Sequence, residues 1–313
     1  MRLISYVNAY IKKKGFKHAF KRTLQRIVGV EDQEEEIKTL YYFLNHVVDI
    51  TQLPPTKDEG LRNLQVGDSL LLGIFDKVCR KHSINYWIDF GTLLGMERHK
   101  GFIPWDDDMD VSMLREDYGR FITSTKSDFD RYGIDIIQYP GWIGLGYRHK
   151  ETGIWLDVFS RDKYYITREY NDEIDLLKRK ISHYKKKYEI PRATLNPELL
   201  AERRRRIIGE GEGDNCIYYL SLEFNLPRII CHDQSWIFPL KRGLFEGIEV
   251  NIPNNVDASL RQTYGPKYME FPKHGVEKHD LGRGALSTWA ANSGTDMKEI
   301  ICKLRSIYNS IEG

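Results

Sequence analysis

With 313 residues, 41% of them hydrophobic, the chain is long enough to bury a real core in one large domain or two small ones. Its net charge of +2 gives no global case for nucleic acid as a partner. Four scattered cysteines, Cys79, Cys216, Cys231 and Cys302, form no CxxC pair, which argues against a zinc ribbon or a disulfide framework and for reduced thiols in a cytosolic protein. No apolar run approaches 18 residues and the N-terminus lacks a signal-peptide pattern, so neither a spanning helix nor a secretory leader is expected.

The charge is unevenly placed. Residues 1–30 carry eight basic side chains and no acid, so the remaining 283 residues sum to −6. Apolar positions at Leu3, Ile4, Val7, Tyr10 and Ile11, then at Phe16, Phe20, Leu24, Ile27 and Val28, predict two amphipathic helices over 2–14 and 16–29, broken at Gly15. Such a basic hairpin suits an anionic membrane surface. It equally suits packing on its own domain or on a second subunit.

The acidic run 31–36 starts a helix expected to reach about residue 50, because acids favour a helix N-terminus. Leu53-Pro54-Pro55-Thr56 is a turn or linker. Residues 59–82 form a strong helical pattern, with Leu61, Leu64, Val66, Leu70, Leu71, Ile74, Phe75 and Val78 on a wide apolar face. The period then changes. Residues 86–90 read as a short strand, 92–97 as a helix, 110–114 as a second strand and 115–124 as a helix. Three further strands are expected at 133–139, 143–147 and 154–159, and charged helices at 169–189 and 196–212. A strand at 245–252 and a helix at 257–264 complete the pattern.

Four carboxylates crowd into Asp106-Asp107-Asp108-Met109-Asp110. They need a counter-charge, and Mg²⁺ or Mn²⁺ is the natural one because these ions prefer carboxylate oxygen. In a strand, Asp108 and Asp110 share one face. Asp157, in the apolar segment Trp155-Leu156-Asp157-Val158-Phe159, offers a third carboxylate. An unpartnered charge there would be costly, so a metal ion or a salt bridge to an arginine is expected. Asp106 and Asp107 are candidates to position or deprotonate an incoming hydroxyl, or to cap a turn. Gly91 and Gly95 bracket Thr92, where a glycine turn opening a helix points amides at a phosphate. Helix packing explains such a GxxxG equally well. Arg98 and Lys100 are candidate phosphate contacts. Lone His99 reads as structural, and Asp89 as a hydrogen-bonding group of the strand-turn.

The run Gly91-Thr92-Leu93-Leu94-Gly95 followed by Arg98-His99-Lys100-Gly101-Phe102-Ile103-Pro104-Trp105-Asp106-Asp107-Asp108-Met109-Asp110-Val111 resembles the signature of the LicD family, bacterial phosphocholine transferases related to the fukutins. The likeness extends to Leu61-Arg62-Asn63-Leu64-Gln65, Cys79-Arg80-Lys81-His82, Arg115-Glu116-Asp117-Tyr118, Trp155–Phe159 and the block from Phe238 to Met269, about residues 59–272. It implies an α+β, nucleotidyltransferase-type fold: a mixed β-sheet flanked by helices, here with an N-terminal helical arm. It divides the chain into an arm at 1–58, a catalytic domain at 59–272 and a partly helical extension at 273–313, whose His274 and His279 have no assignment.

The resemblance further implies Asp108, Asp110 and Asp157 as metal ligands and Gly91 and Thr92 as the nucleotide-phosphate turn. It implies transfer of a phosphate-linked group, with phosphocholine leading, from a CDP-activated donor to a hydroxyl of a glycan or glycolipid, with CMP leaving. Two alternatives stand beside it: a nucleotide-sugar glycosyltransferase, and a non-catalytic membrane-surface protein on a decayed nucleotidyltransferase fold. The helical character of the region before the motif argues against the first. The presence of all three expected carboxylates argues against the second. A cytoplasmic location is expected, with the arm available for peripheral attachment to the inner face of the plasma membrane and nucleic acid excluded as a partner.

Overall fold

The computed structural model describes residues 30–139, 142–166, 170–187, 205–206, 216–220, 230–271 and 296–312. The basic helices expected at 2–14 and 16–29, His274 and His279, and all of the helix expected at 196–212 except residues 205–206 lie outside them. The chain divides into two units, Met1–Gln52 with Met269–Gly275, and Leu53–Tyr268 with Val276–Gly313. In the first, helix α1 (Val30–Val47) is followed by a short 3₁₀ turn at Ile50–Gln52. Two bonds fasten the helix to residues 270–271: the Tyr41 hydroxyl donates to Glu270 Oε2 at 3.1 Å, and Asn45 Oδ1 accepts from the Phe271 amide at 2.7 Å.

The second unit is a mixed sheet with helices. Helix α2 (Glu59–Lys81) opens it, its N-cap Asp58 accepting from the Leu61 amide. Then come β1 (Trp87–Ile88), α3 (Phe90–His99), β2 (Asp110–Leu114), α4 (Arg115–Tyr132), β3 (Ile134–Tyr139) and β4 (Trp142–Tyr147). A short α5 (His149–Thr152) leads to the long β5 (Trp155–Tyr165) and α6 (Tyr170–Lys187). The remainder is β6 (Cys216–Leu220), β7 (Cys231–Asp233), α7 (Gln234–Ile237), the hairpin β8 (Lys241–Phe245) and β9 (Ile248–Ile252), α8 (Val256–Tyr264) and α9 (Met297–Ser310).

The main sheet runs β1-β2-β5-β4-β3, with β6 pairing with the second half of β5 and β7 pairing with β6. Only β2 and β5 are parallel among these pairs; the others are antiparallel. Side-chain alternation divides the sheet into two chemistries. Val111 and Met113 of β2, Ile143 and Leu145 of β4, and Leu156 and Val158 of β5 enter one core with Leu71, Ile74, Phe75 and Val78 of α2 and Phe121 and Phe129 of α4. The intervening residues, Asp110, Ser112, Gly144, Asp157, Phe159 and Arg161, occupy the other face.

Helix α9 belongs to this core. Ile300 and Leu304 are buried in it, and Lys77 Nζ of α2 donates to the carbonyls of Tyr308 and Ile311, each at 2.8 Å. A Cβ at Gly73 would fall 2.7 Å from the Tyr308 ring, so glycine there permits the close helix approach. At the far end of α2, Asp128 of α4 accepts from Lys81 Nζ at 2.8 Å and faces His82 Nε2 at 2.6 Å.

Several elements depart from expectation. α4 continues eight residues past 124, to Tyr132, where Gly133 takes the left-handed conformation (φ 70°) and ends it. β5 runs to Tyr165 rather than stopping at 159. The single strand expected at 245–252 is a hairpin turning at Glu246-Gly247, both with positive φ (50° and 79°). Strands β6 and β7 were not expected; each is short, five and three residues.

Candidate active site

The site is organised by register. β2 and β5 pair so that Asp110 lies directly beside Asp157, and the Asp157 amide donates to the Met109 carbonyl at 2.9 Å. Two carboxylates therefore stand side by side on one face. The backbone of Asp110 is held on both sides: its amide donates to Thr92 Oγ1 at 2.8 Å, and its carbonyl accepts from the Asp89 amide at 3.0 Å. Asp157 Oδ1 accepts the indole N–H of Trp155, two residues back on the same face, at 2.6 Å.

The loop 100–109 carries the other carboxylates, and distant residues fix it. Gln65 Nε2 of α2 donates to the Asp106 carbonyl at 2.8 Å. Glu246, at the β8–β9 turn, accepts from the Phe102 amide at 3.2 Å, and its own amide donates to the Lys100 carbonyl at 2.9 Å. Arg62 grips the Glu246 carboxylate with both terminal nitrogens, at 3.1 and 2.6 Å. This fork-to-fork geometry is the strong form of such a pair. A Cβ at Gly91 would meet Asp106 Oδ2 at 2.9 Å, so the glycine leaves room for that carboxylate over the start of α3.

Beneath the site lies a buried ion pair. Arg161 and Asp89 are 0% and 2% exposed and meet at 2.5 Å, so the charges can be satisfied only by each other and by their neighbours. Asp89 also accepts from Ser112 Oγ at 2.7 Å and from the Phe90 amide at 2.9 Å, capping α3. Arg161 adds bonds to Ser112 Oγ and the Ile230 carbonyl and lies 5.1 Å from the Phe90 ring centre. Burial pushes the Asp89 carboxyl up, but Arg161, His232, Ser112 and the Phe90 amide together hold it below its ordinary value. Nearby, burial and the Arg161 charge depress His232 to about 4.

Two of the carboxylates are raised. Burial, then Asp108, Asp157, Asp106 and Asp89, push Asp110 well above the usual carboxylate range. Burial, then Asp108 and Asp107, do the same to Asp106. Among the described residues, Asp106, Asp107 and Asp108 form the group whose oxygens lie within 4.8 Å of one another, close enough to share one ion. Carboxylate oxygens this close together fit a hard divalent cation such as Mg²⁺ or Mn²⁺.

The structure brings Asp106, Asp107, Asp108, Asp110, Asp157, Gly91 and Thr92 together at the end of β2. Arg161, on the same face of β5 as Asp157, pairs with Asp89. The other expected residues have different surroundings. A Cβ at Gly95 would meet the Gly101 carbonyl at 2.5 Å and the Ile103 amide at 3.0 Å, so this glycine lets the loop backbone pack on α3. The Arg98 guanidinium is buried and donates to the Tyr268 carbonyl. Lys100 is exposed, ends α3 in the left-handed conformation and donates to the Glu97 carbonyl at 3.4 Å.

Five residues with clear positioning roles were absent from the expected set: Arg62, Gln65, Trp155, Arg161 and Glu246. Arg62, Gln65, Trp155 and Glu246 lie in segments that resemble the family, and that was the available signal. Arg161, the first of three successive charges after an apolar segment, gave none.

Part of the chain is similar in sequence to known proteins. Residues 83–203 match the model described as LicD/FKTN/FKRP, nucleotidyltransferase domain. The Haemophilus influenzae protein named lipopolysaccharide cholinephosphotransferase LicD is 48% identical over 62 residues, 20% of this chain and 23% of that protein. An uncharacterised Rickettsia typhi protein is 57% identical over 115 residues, 33% of each. Human ribitol 5-phosphate transferase FKRP is 36% identical over 59 residues, 19% of this chain and 11% of that protein. These matches span at most a third of each of these relatives. Over residues 83–203 the chain is therefore similar to the nucleotidyltransferase domain of the LicD family.

Proposed function

We propose that the protein transfers a phosphate-linked group, phosphocholine first among the candidates, from a CDP-activated donor to a hydroxyl of a cell-surface glycan. The observation that carries this reading is the in-register pair Asp110–Asp157 beside the Asp106–Asp108 loop, next to the first turn of α3, where Gly91 leaves room for Asp106. The 48% identity to the H. influenzae cholinephosphotransferase falls on a short segment and supports phosphocholine in particular.

In this reading Asp108, Asp110 and Asp157, with Asp106 and Asp107 adjacent, hold Mg²⁺ or Mn²⁺. The ion supplies charge neutralisation for the donor's diphosphate. Gly91 and Thr92 border the phosphates at the start of α3. The acceptor oxygen forms a new bond to the donor's outer phosphorus as the bond to the CMP oxygen breaks, and CMP leaves as an anion. One loop carboxylate, Asp106 or Asp107, takes the hydroxyl proton. The basic segment 1–30 attaches the protein to an anionic membrane surface.

The test is a thermal-shift panel of CDP-choline, other CDP-alcohols, CMP and UDP-sugars in Mg²⁺, Mn²⁺ and EDTA, followed by CMP release with a glycan acceptor. A divalent-dependent shift with a CDP-alcohol, lost in Asp110→Asn, is expected. A shift with UDP-sugars alone refutes the reading in favour of a glycosyltransferase. For the arm, deletion of residues 1–30 should abolish co-sedimentation with phosphatidylserine-containing vesicles. Unchanged binding refutes that part.

A further inference from the structure

One edge of the carboxylate face is aromatic. Gly144 of β4 pairs with Asp157, and glycine at this position is decisive: a Cβ would fall 1.7 Å from Trp155 Cζ2. The bare backbone lets the Trp155 indole lie across β4 while its N–H is pinned to Asp157 Oδ1. On the far side the indole meets Tyr139 of β3 edge-to-face, centroids 6.2 Å apart. Tyr139 in turn stacks on its cross-strand partner Trp142, at 4.8 Å and 16°. Three rings thus form one surface running outward from a carboxylate of the site. Tyr139, the outermost of them, is 38% exposed.

We infer that this surface is the subsite for a quaternary ammonium group carried on the transferred phosphate, and that it selects choline over ethanolamine and over uncharged polyols. The inference rests on the transferase reading above and deepens it. A phosphate bound at the carboxylate cluster holds its alcohol substituent a short bridge away, and the indole spans the distance from Asp157 toward Tyr139. Ring faces attract cations, tryptophan most strongly, and several carboxylates nearby add a field of the same sign. A trimethylammonium group gives up weak hydration to reach such a surface. A primary ammonium is strongly hydrated and gives up more. A polyol has no charge and gains neither the ring attraction nor the field.

The full-length protein should be titrated with phosphocholine, phosphoethanolamine, ribitol 5-phosphate and CMP in Mn²⁺ by calorimetry. Phosphocholine should bind about ten-fold tighter than phosphoethanolamine. Tyr139→Leu and Trp142→Leu should each reduce that ratio several-fold, while Tyr139→Phe keeps it. Tyr139 is exposed, so its variants report on binding rather than on folding, and their thermal unfolding should match wild type. Equal affinity for the two phosphates in wild type overturns the inference but leaves the transferase reading standing. A ratio unchanged in both leucine variants also overturns it, and weaker CMP binding alongside would identify the rings as a base-stacking platform. Failure of every phosphate to bind with Mn²⁺ removes the transferase reading and this inference with it.

Discussion

Arg161→Met removes one half of a fully buried ion pair. The guanidinium is 0% exposed and its partner Asp89 is 2% exposed, so no water replaces the lost charge. Asp89 keeps the Ser112 hydroxyl and the Phe90 amide, which are too few for a buried carboxylate. Stranding one member of such a pair costs about 3–5 kcal/mol. For a unit of this size each kcal/mol lowers Tm by roughly 2–4 °C, so a fall of about 6–20 °C is expected. The pH dependence separates this mechanism from simple loss of packing. In the wild type Asp89 titrates below its ordinary value, so its stabilisation is complete above that value and fades as pH falls. In the variant, burial acts without Arg161 and raises Asp89, so protonation relieves the stranded charge as pH falls. Both effects narrow the gap between the two proteins on acidification. The assay is urea unfolding of wild type, Arg161→Met and the double variant Asp89→Asn/Arg161→Met at neutral pH and near pH 4. A gap of constant size across that range, or a double variant less stable than Arg161→Met, would refute the reasoning.

Three further outcomes follow from the site. Asp110→Asn should abolish divalent-dependent nucleotide binding and transfer while leaving metal-free Tm unchanged or slightly raised, because Asp110 is already pushed toward its neutral form by its neighbours. Glu246→Ala frees the Phe102 amide and both nitrogens of Arg62, so about 1.5–3 kcal/mol of stability should go with it in urea unfolding. Its turnover should fall further than its stability, since the loop it holds carries Asp106. Gly144→Ala drives a methyl into the Trp155 indole; a cost of about 1–3 kcal/mol is expected, with a shift in tryptophan emission as the ring moves.

What could be read in the sequence was what is local in it. The carboxylate run sits within five residues, and the alternation of β2 through β4 is a period-two pattern over single segments. The second half of β5 was hidden because Arg161-Asp162-Lys163 breaks its apolar pattern. Each of these charges has a partner elsewhere: Asp89, Arg115 and Glu116. The hairpin at 241–252 read as a single strand because its turn uses Glu246, an unusual residue for a positive φ, rather than a glycine pair. Arg98 has a partner that local sequence did not suggest. Closeness in sequence to the carboxylates suggested a phosphate ligand, but α3 turns its side chain toward Tyr268. The residues that hold the loop, Gln65 and Glu246, lie 41 and 144 positions from the groups they bind, a separation that no local pattern encodes.

The same sheet explains how so unfavourable a site is tolerated. Asp110 and Asp157 stand one strand spacing apart, roughly 5 Å. At an effective dielectric near 20 two charges at that distance repel by about 3 kcal/mol. Opposite them on the same two strands, Val111, Met113, Leu156 and Val158 are fully buried, each worth about 1.5–3 kcal/mol. The apolar face of β2 and β5 therefore outweighs the repulsion on the other face by at least two-fold, and it does so at the residues adjacent in sequence to the carboxylates. Register cannot slip to separate the charges, because a one-residue shift would carry all four apolar side chains out of the core. The core thus dictates the close approach of the two aspartates.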